Sequence, residues 1–249
     1  MYAEGRVTCG LDALFLDAGG VLVYPSWTRI SAALARHGVR VDAAALARAE
    51  PHAKRELDVA HEIRQTTDAA RVPRYFDLVL LRAGVTPSAA SDAAFVEMDE
   101  YHARANLWEE VPAEVVPALE RLRATGLRLV VVSNANGRLR AAFDRIGLGG
   151  YFDAIIDSTE VGCEKPDPGI FHLALERGRS APERTVHVGD LFHIDVAGAR
   201  SAGIRGVLLD AADLYADHDC PRVSTLAAVA DLIEAGDPRP FGPLPRVPP

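Results

Sequence analysis

Residues 11–20 read LDALFLDAGG, and this stretch decides the fold. Apolar residues run almost unbroken to Leu16, a carboxylate follows at Asp17, and Gly19-Gly20 stops the run. A short apolar run ended by glycines reads as a strand buried on both faces, as in a parallel sheet covered by helices. Four later stretches repeat the pattern: 127–132 ends at Ser133-Asn134, 152–156 at Asp157-Ser158, 185–188 at Gly189-Asp190, and 206–209 at Asp210. Helical spacing of apolar residues fills the gaps at 112–124, 139–146, 168–177 and 195–202, with Gly126 and Gly203 as stops. Strand alternating with helix predicts right-handed crossovers, hence an α/β, Rossmann-like three-layer core on a parallel sheet.

Residues 25–110 break this alternation. They carry helical periodicity and no convincing strand. Ser26 can cap a helix running to His37 before Gly38. Asp42 can cap another that Pro51 must kink or restart, and Ser88 a third through Arg104. The insertion is too long for a loop, so it reads as a small α-helical domain set into a core made of residues 1–24 and 111–236. Residues 237–249 (DPRPFGPLPRVPP) form a Pro-rich tail, expected to be extended or disordered.

Composition narrows the function. The chain has 249 residues, 49% hydrophobic and 25% charged, which is globular. A net charge of −8 argues against nucleic acid or an anionic membrane as partner, though a small anion can still bind through local donors. No segment approaches the roughly 18 apolar residues of a membrane span, and no leader is recognisable. The three cysteines, Cys9, Cys163 and Cys220, have neither disulfide nor zinc spacing, so a cytoplasmic setting is expected. There are 25 arginines and only two lysines, Lys54 and Lys165, so each retained lysine stands out.

In open parallel sheets, ligands bind at the carboxyl ends of the strands. Asp17, Ser133 and Asp190 should therefore converge. Together with Glu164-Lys165-Pro166-Asp167, and with Asp195 following Gly189-Asp190, they resemble in order and spacing the four motifs of the haloacid dehalogenase-like hydrolases, over nearly the whole chain to residue 235. The resemblance implies an enzyme, most often a phosphatase, whose Asp17 attacks phosphorus and forms an aspartyl-phosphate. It implies Mg²⁺ held by Asp17, the Gly19 carbonyl, Asp190 and, in an outer shell, Asp195. Lys165 would balance charge, and Ser133, Asn134 and the following backbone N–H groups would hold phosphate. A compact ammonium suits that point contact better than a guanidinium fork.

One position departs from the family's pattern. Most of its phosphatases have a second aspartate where this chain has Gly19, and general acid–base help of that kind is worth about 10²–10⁴ in rate. Either the leaving group needs no proton, or another side chain such as His193 or His102 substitutes, or the chain is a weak catalyst. Among relatives without that aspartate, dehalogenases also lack the Gly-Asp of the fourth motif and use no metal. Phosphonate hydrolases keep the metal and use a lysine of the inserted domain as a Schiff base, for which Lys54 is the only candidate. A non-catalytic phosphate-binding protein is a further alternative. By the same resemblance, residues 25–110 form a helical cap hinged near Tyr24 and Val111. The expected partner is a small phosphorylated metabolite, whose anion could meet Arg29, Arg36, Arg55 or Arg64. Either a monomer or a homodimer is compatible with the sequence.

Overall fold

The computed structural model describes residues 10–245. Residues 1–9 of the expected core, Cys9 among them, and residues 246–249 of the expected tail lie outside the described residues. Two compact units result. One runs to Val23 and resumes at Val111, and the other is Tyr24–Glu110.

Along the chain come β1 (Ala13–Leu16), β2 (Tyr24–Pro25), α1 (Trp27–Arg36), α2 (Ala43–Leu57), α3 (Ala60–Gln65), α4 (Asp68–Arg82), α5 (Ala89–Ala105) and β3 (Trp108–Glu110). Then follow α6 (Val115–Ala124), β4 (Arg128–Ser133), α7 (Leu139–Arg145), β5 (Ala154–Asp157), α8 (Ser158–Val161), α9 (Pro168–Gly178) and β6 (Thr185–Gly189). The last elements are α10 (Ala197–Ser201), β7 (Arg205–Leu209), β8 (Arg222–Val223) and α11 (Leu226–Glu234).

The larger unit is a Rossmann-like α/β domain. Its six strands are all parallel, in the order β5-β4-β1-β6-β7-β8. On one face Ala13, Phe15, Val130, Val132 and Ile156 pack against Ile170, Phe171 and Ala174 of α9 and Ala199 of α10. The alternate residues Leu14, Leu16, Leu129 and Val131 are fully buried too, which is why the runs are apolar throughout rather than alternating. Chain order reverses around β1, which lies between β4 and β6. Leu16 pairs with Val131 on one side and Val188 on the other, so Asp17, Ser133 and Asp190 emerge side by side at the switch point.

The helical unit has its own core, with Trp27, Ile30, Leu34, Leu46, Tyr75, Phe76 and Met98 at its centre. Ser26 caps α1 by accepting from the Arg29 N–H, and Ser88 caps α5 in a reciprocal capping box with Ser91.

Four expectations need correction. Pro51 neither ends nor restarts a helix: it lies inside α2, which runs through it, and Asp42 at the start makes no side-chain cap bond. The packing of Leu46, Ala49, Ala53 and Leu57 into the helical core holds α2 together across the proline. The insertion does contain strand: Trp108–Glu110 pairs antiparallel with Tyr24–Pro25, a ladder too short to register as a pattern. The helix expected over residues 195–202 starts earlier, with a wide π-helical turn at Phe192–Val196. The tail is not simply extended, because Arg239–Phe241 forms a 3₁₀ turn and Phe241 is buried. One aromatic side chain offers enough apolar area to hold a short Pro-rich segment to the core. Among the described residues no helix is long and apolar enough to cross a membrane.

Candidate active site

Asp17 leaves β1 and is held in place by its own turn. Its Oδ1 accepts from the Ala18 N–H at 2.7 Å and from Lys165 Nζ at 2.9 Å. Among the described residues no group donates to Oδ2. The left-handed backbone conformation of this turn falls on Gly20 (φ 78°) rather than Gly19.

Lys165 is 1% exposed, and its ammonium also contacts Asp195 Oδ1 at 2.7 Å. Burial alone would push its pKa down. The Asp17 and Asp195 carboxylates outweigh that and hold it above the usual lysine range. Asp195 is fully buried. Burial would raise its pKa, but Lys165 and the His187 hydrogen bond hold it below the usual carboxylate range. Both of its oxygens are engaged: Oδ1 also meets His187 Nε2 at 3.0 Å, and Oδ2 accepts from the Leu191 N–H at 3.1 Å. Its side chain crosses the backbone of Gly189 so closely that a Cβ there would lie 2.0 Å from Asp195 Cγ.

Reciprocal bonds join the segments. Asn134 donates from Nδ2 to the Lys165 carbonyl (3.0 Å) and accepts on Oδ1 from the Lys165 N–H (2.7 Å). Its side chain thereby positions Lys165. The loop after Ser133 is fastened by the end of β5. Asp157 accepts from the N–H groups of Gly137, Leu139 and Thr159, and Ser158 Oγ accepts from Ala135 N–H. Ser133 is buried at the head of this loop.

One carboxylate oxygen each from Asp17, Asp190 and Asp195 lie within 4.8 Å of one another. Three hard oxygen donors fit Mg²⁺, and among the described residues no sulfur or nitrogen ligand joins the group. Asp195, with both oxygens already taken, suits the outer position.

His187 was not singled out from the sequence. It is fully buried in β6, edge-on to Phe171 at 5.1 Å, and burial pushes its pKa down. The neutral ring then donates from Nε2 to the Asp195 carboxylate, while Nδ1 has no partner among the described residues. A polar residue inside an otherwise apolar, doubly covered strand needs a buried partner, and that was the available signal. The two histidines singled out from the sequence have partners of their own. His193 packs edge-on with Phe192 (5.1 Å) and His218 (5.9 Å). His102 Nδ1 accepts from the Leu107 N–H at 3.0 Å, and its ring lies against Trp108.

Lys54 lies in the helical unit. It is only 15% exposed along its side chain and pairs at 2.6 Å with buried Glu50, which also accepts from the Tyr75 hydroxyl at 3.2 Å. Arg29 pairs with Glu109 at 3.0 Å, and Arg36 with Glu97. Cys163 and Cys220 form no disulfide.

Carboxylates and one buried lysine gathered at the carboxyl ends of β1 and β6 mark the chain as an α/β enzyme. It belongs to the haloacid dehalogenase-like hydrolases, whose family model matches residues 11–203. It is 38% identical over 129 residues to the haloacid dehalogenase-like hydrolase domain-containing protein 3 of Mus musculus, covering 48% of this chain and 51% of that one. It is 36% identical over 133 residues to a glyceraldehyde 3-phosphate phosphatase of Methanopyrus kandleri, covering 53% and 56%. The chain thus spans about half the length of the curated relatives it matches. Among solved structures, a HAD phosphatase of Thermococcus onnurineus superposes with a TM-score of 0.56 at 23% identity, over 91% of this chain and 99% of that one. A 2-haloacid dehalogenase of Pseudomonas syringae does so with 0.57 at 26%, over 90% and 99%. Phosphatase and dehalogenase share this fold, so the fold does not select the chemistry.

Proposed function

We propose that the chain is a Mg²⁺-dependent phosphatase of small organic phosphates, acting through an aspartyl-phosphate on Asp17. One observation carries this reading: Asp17 is clamped through Oδ1 by Lys165 and Ala18, and among the described residues Oδ2 has no donor. That oxygen is the nucleophile. Phosphate is an anion approaching a carboxylate, so the site needs positive charge. Lys165 supplies part of it, fixed by two carboxylates and by Asn134. Mg²⁺, when bound by Asp17, Asp190 and the Gly19 carbonyl with Asp195 outside, supplies charge neutralisation for the phosphate oxygens. Ser133 and the Asn134 N–H hold the remaining oxygens.

Residues 25–110 are assigned as the cap that selects the substrate, within the cytoplasm. The related phosphatases, one of glyceraldehyde 3-phosphate and one named ribulose-1,5-bisphosphate 5-phosphatase, make sugar phosphates a fitting first panel. A phosphonate hydrolase would need an uncharged Lys54, and the ion pair with buried Glu50 opposes that. The paired carboxylates Asp190 and Asp195 argue for a metal and against a dehalogenase.

The test is phosphate release from phosphomonoesters and acyl phosphates with and without Mg²⁺, beside Asp17→Asn. Mg²⁺-dependent release that the variant loses upholds the proposal. Halide release from 2-haloacids without metal, and no phosphate from any member, would replace it with the dehalogenase reading.

A further inference from the structure

Displacement by a carboxylate at phosphorus is easy only if the departing oxygen is a weak base or receives a proton. An alkoxide is a stronger base than a carboxylate by roughly twelve powers of ten, so an alkyl phosphate needs a proton donor at the leaving oxygen. Among the described residues, none of the side chains bonded to Asp17 or Asp195 is placed to act as one, and the His193 ring packs against Phe192 and His218. Gly19, beside the nucleophile, has no side chain, and its backbone bridges to Val23. The Lys165 ammonium is turned to Asp17 and Asp195, and every oxygen of Asp195 already accepts a bond. His187 is fully buried, with Nε2 on that same carboxylate.

The second half of the cycle has the same gap and a harder consequence. Water must attack the phosphorus of the aspartyl-phosphate, and a base should take its proton. Asp17 is then esterified and cannot serve. A well-chosen substrate can make the first step fast, but it has already left before the second. No choice of substrate repairs that step.

We propose, resting on the phosphatase reading above, that this site works on phosphates whose leaving group departs as a weak base, namely acyl, enol and aryl phosphates, and that the phosphoryl group then waits on Asp17. In the first step the Asp17 Oδ2–P bond forms as the bond from phosphorus to the leaving oxygen breaks, and the leaving group departs as a carboxylate, enolate or phenolate. In the second the bond from water oxygen to phosphorus forms, the P–Oδ2 bond breaks, and the water proton passes to phosphate or solvent. Gly19 makes the second step the slow one.

The experiment uses the full chain with Mg²⁺, mixed rapidly with p-nitrophenyl phosphate, acetyl phosphate or glycerol phosphate. The expected result is a nitrophenolate burst of about one per chain before the linear phase, with one phosphoryl group added to the intact mass and absent from Asp17→Asn. Aryl and acyl phosphates should outrun the alkyl ester by about 10²-fold or more. Because Gly20 carries the left-handed backbone, Gly19→Asp is conformationally admissible; it should erase the burst and raise alkyl phosphate turnover. Linear release with no burst, and alkyl turnover equal to aryl, would overturn the inference and leave the phosphatase standing. No phosphate and no adduct from any substrate would overturn both. The wild-type burst decides even where Gly19→Asp fails to fold.

Discussion

The chain's two lysines both pair with buried carboxylates, one in each unit, Lys165 fully buried and Lys54 half-buried, and they do different things. Lys54 pairs with Glu50, which a tyrosine hydroxyl also engages. Lys165 meets two carboxylates, and one of them, Asp17, keeps an oxygen with no donor among the described residues. A buried ion pair is therefore no mark of function by itself. What separates the sites is what the carboxylates gather with: in the core Asp17 and Asp195 share one ammonium and group with Asp190, whereas in the helical unit Glu50 turns to Lys54 and a tyrosine hydroxyl.

The largest test of that contrast is Lys165→Met beside Lys54→Met. Loss of Lys165 leaves Asp17 and Asp195 facing each other without their cation, so phosphate release should fall by about 10³-fold. Breaking a buried pair costs about 3–5 kcal/mol. Lys54→Met should destabilise the fold as well, by stranding Glu50. Adding Glu50→Leu should recover that loss, since a buried ion pair can be exchanged for apolar packing. No second substitution at Asp17 should recover phosphate release in Lys165→Met. Urea melts and a phosphate assay on the four variants decide. Failure of Glu50→Leu to rescue Lys54→Met would break the contrast.

A smaller effect probes the core side alone. Gly189→Ala places a methyl where Asp195 lies, so the carboxylate must move. The expected cost is about 1–3 kcal/mol in stability, with Mg²⁺ affinity by calorimetry down about 10–100-fold. Unchanged affinity would detach Asp195 from the metal site.

The smallest effect is in pH. Burial lowers the pKa of His187 in the core and of His102 in the helical unit. The unfolded chain takes up protons below about pH 6.5 that the folded chain refuses. Stability is therefore full above that value and falls as pH drops toward the folded-state pKa values. For His187 the slope is at most about 1.4 kcal/mol per pH unit. His187→Phe should flatten this dependence in urea melts more than His102→Phe, because the core histidine is the more deeply buried. Equal flattening would remove this difference between the units.

The parallel core was legible because each of its five long strands is apolar on both faces and ends at a polar residue or glycine. Asp17, Lys165, Asp190 and Asp195 were legible because motif order survives even where the chain folds them together from far apart. Elements fixed by tertiary packing were not. Tyr24–Pro25, Trp108–Glu110 and Arg222–Val223 are too short to show a period. Pro51 is tolerated in α2 only because neighbours bury that helix, and Phe241 was masked by the prolines around it. His187 was hidden by its strand, since a single histidine among valines reads as packing until its carboxylate partner comes from eight residues further on.

The small ladder between Tyr24–Pro25 and Trp108–Glu110 has a consequence for how such a chain can be rebuilt. Directly paired residues on antiparallel strands sit only about 5 Å apart. The whole helical insertion is thus delivered to the α/β domain as if it were one hairpin. A different insert with the same two ends could be grafted there, or the existing one replaced by a tight turn, while the parallel sheet keeps its chain order. Under the cap assignment proposed above, substrate preference becomes an exchangeable part, carried on an insert whose two ends are one short ladder.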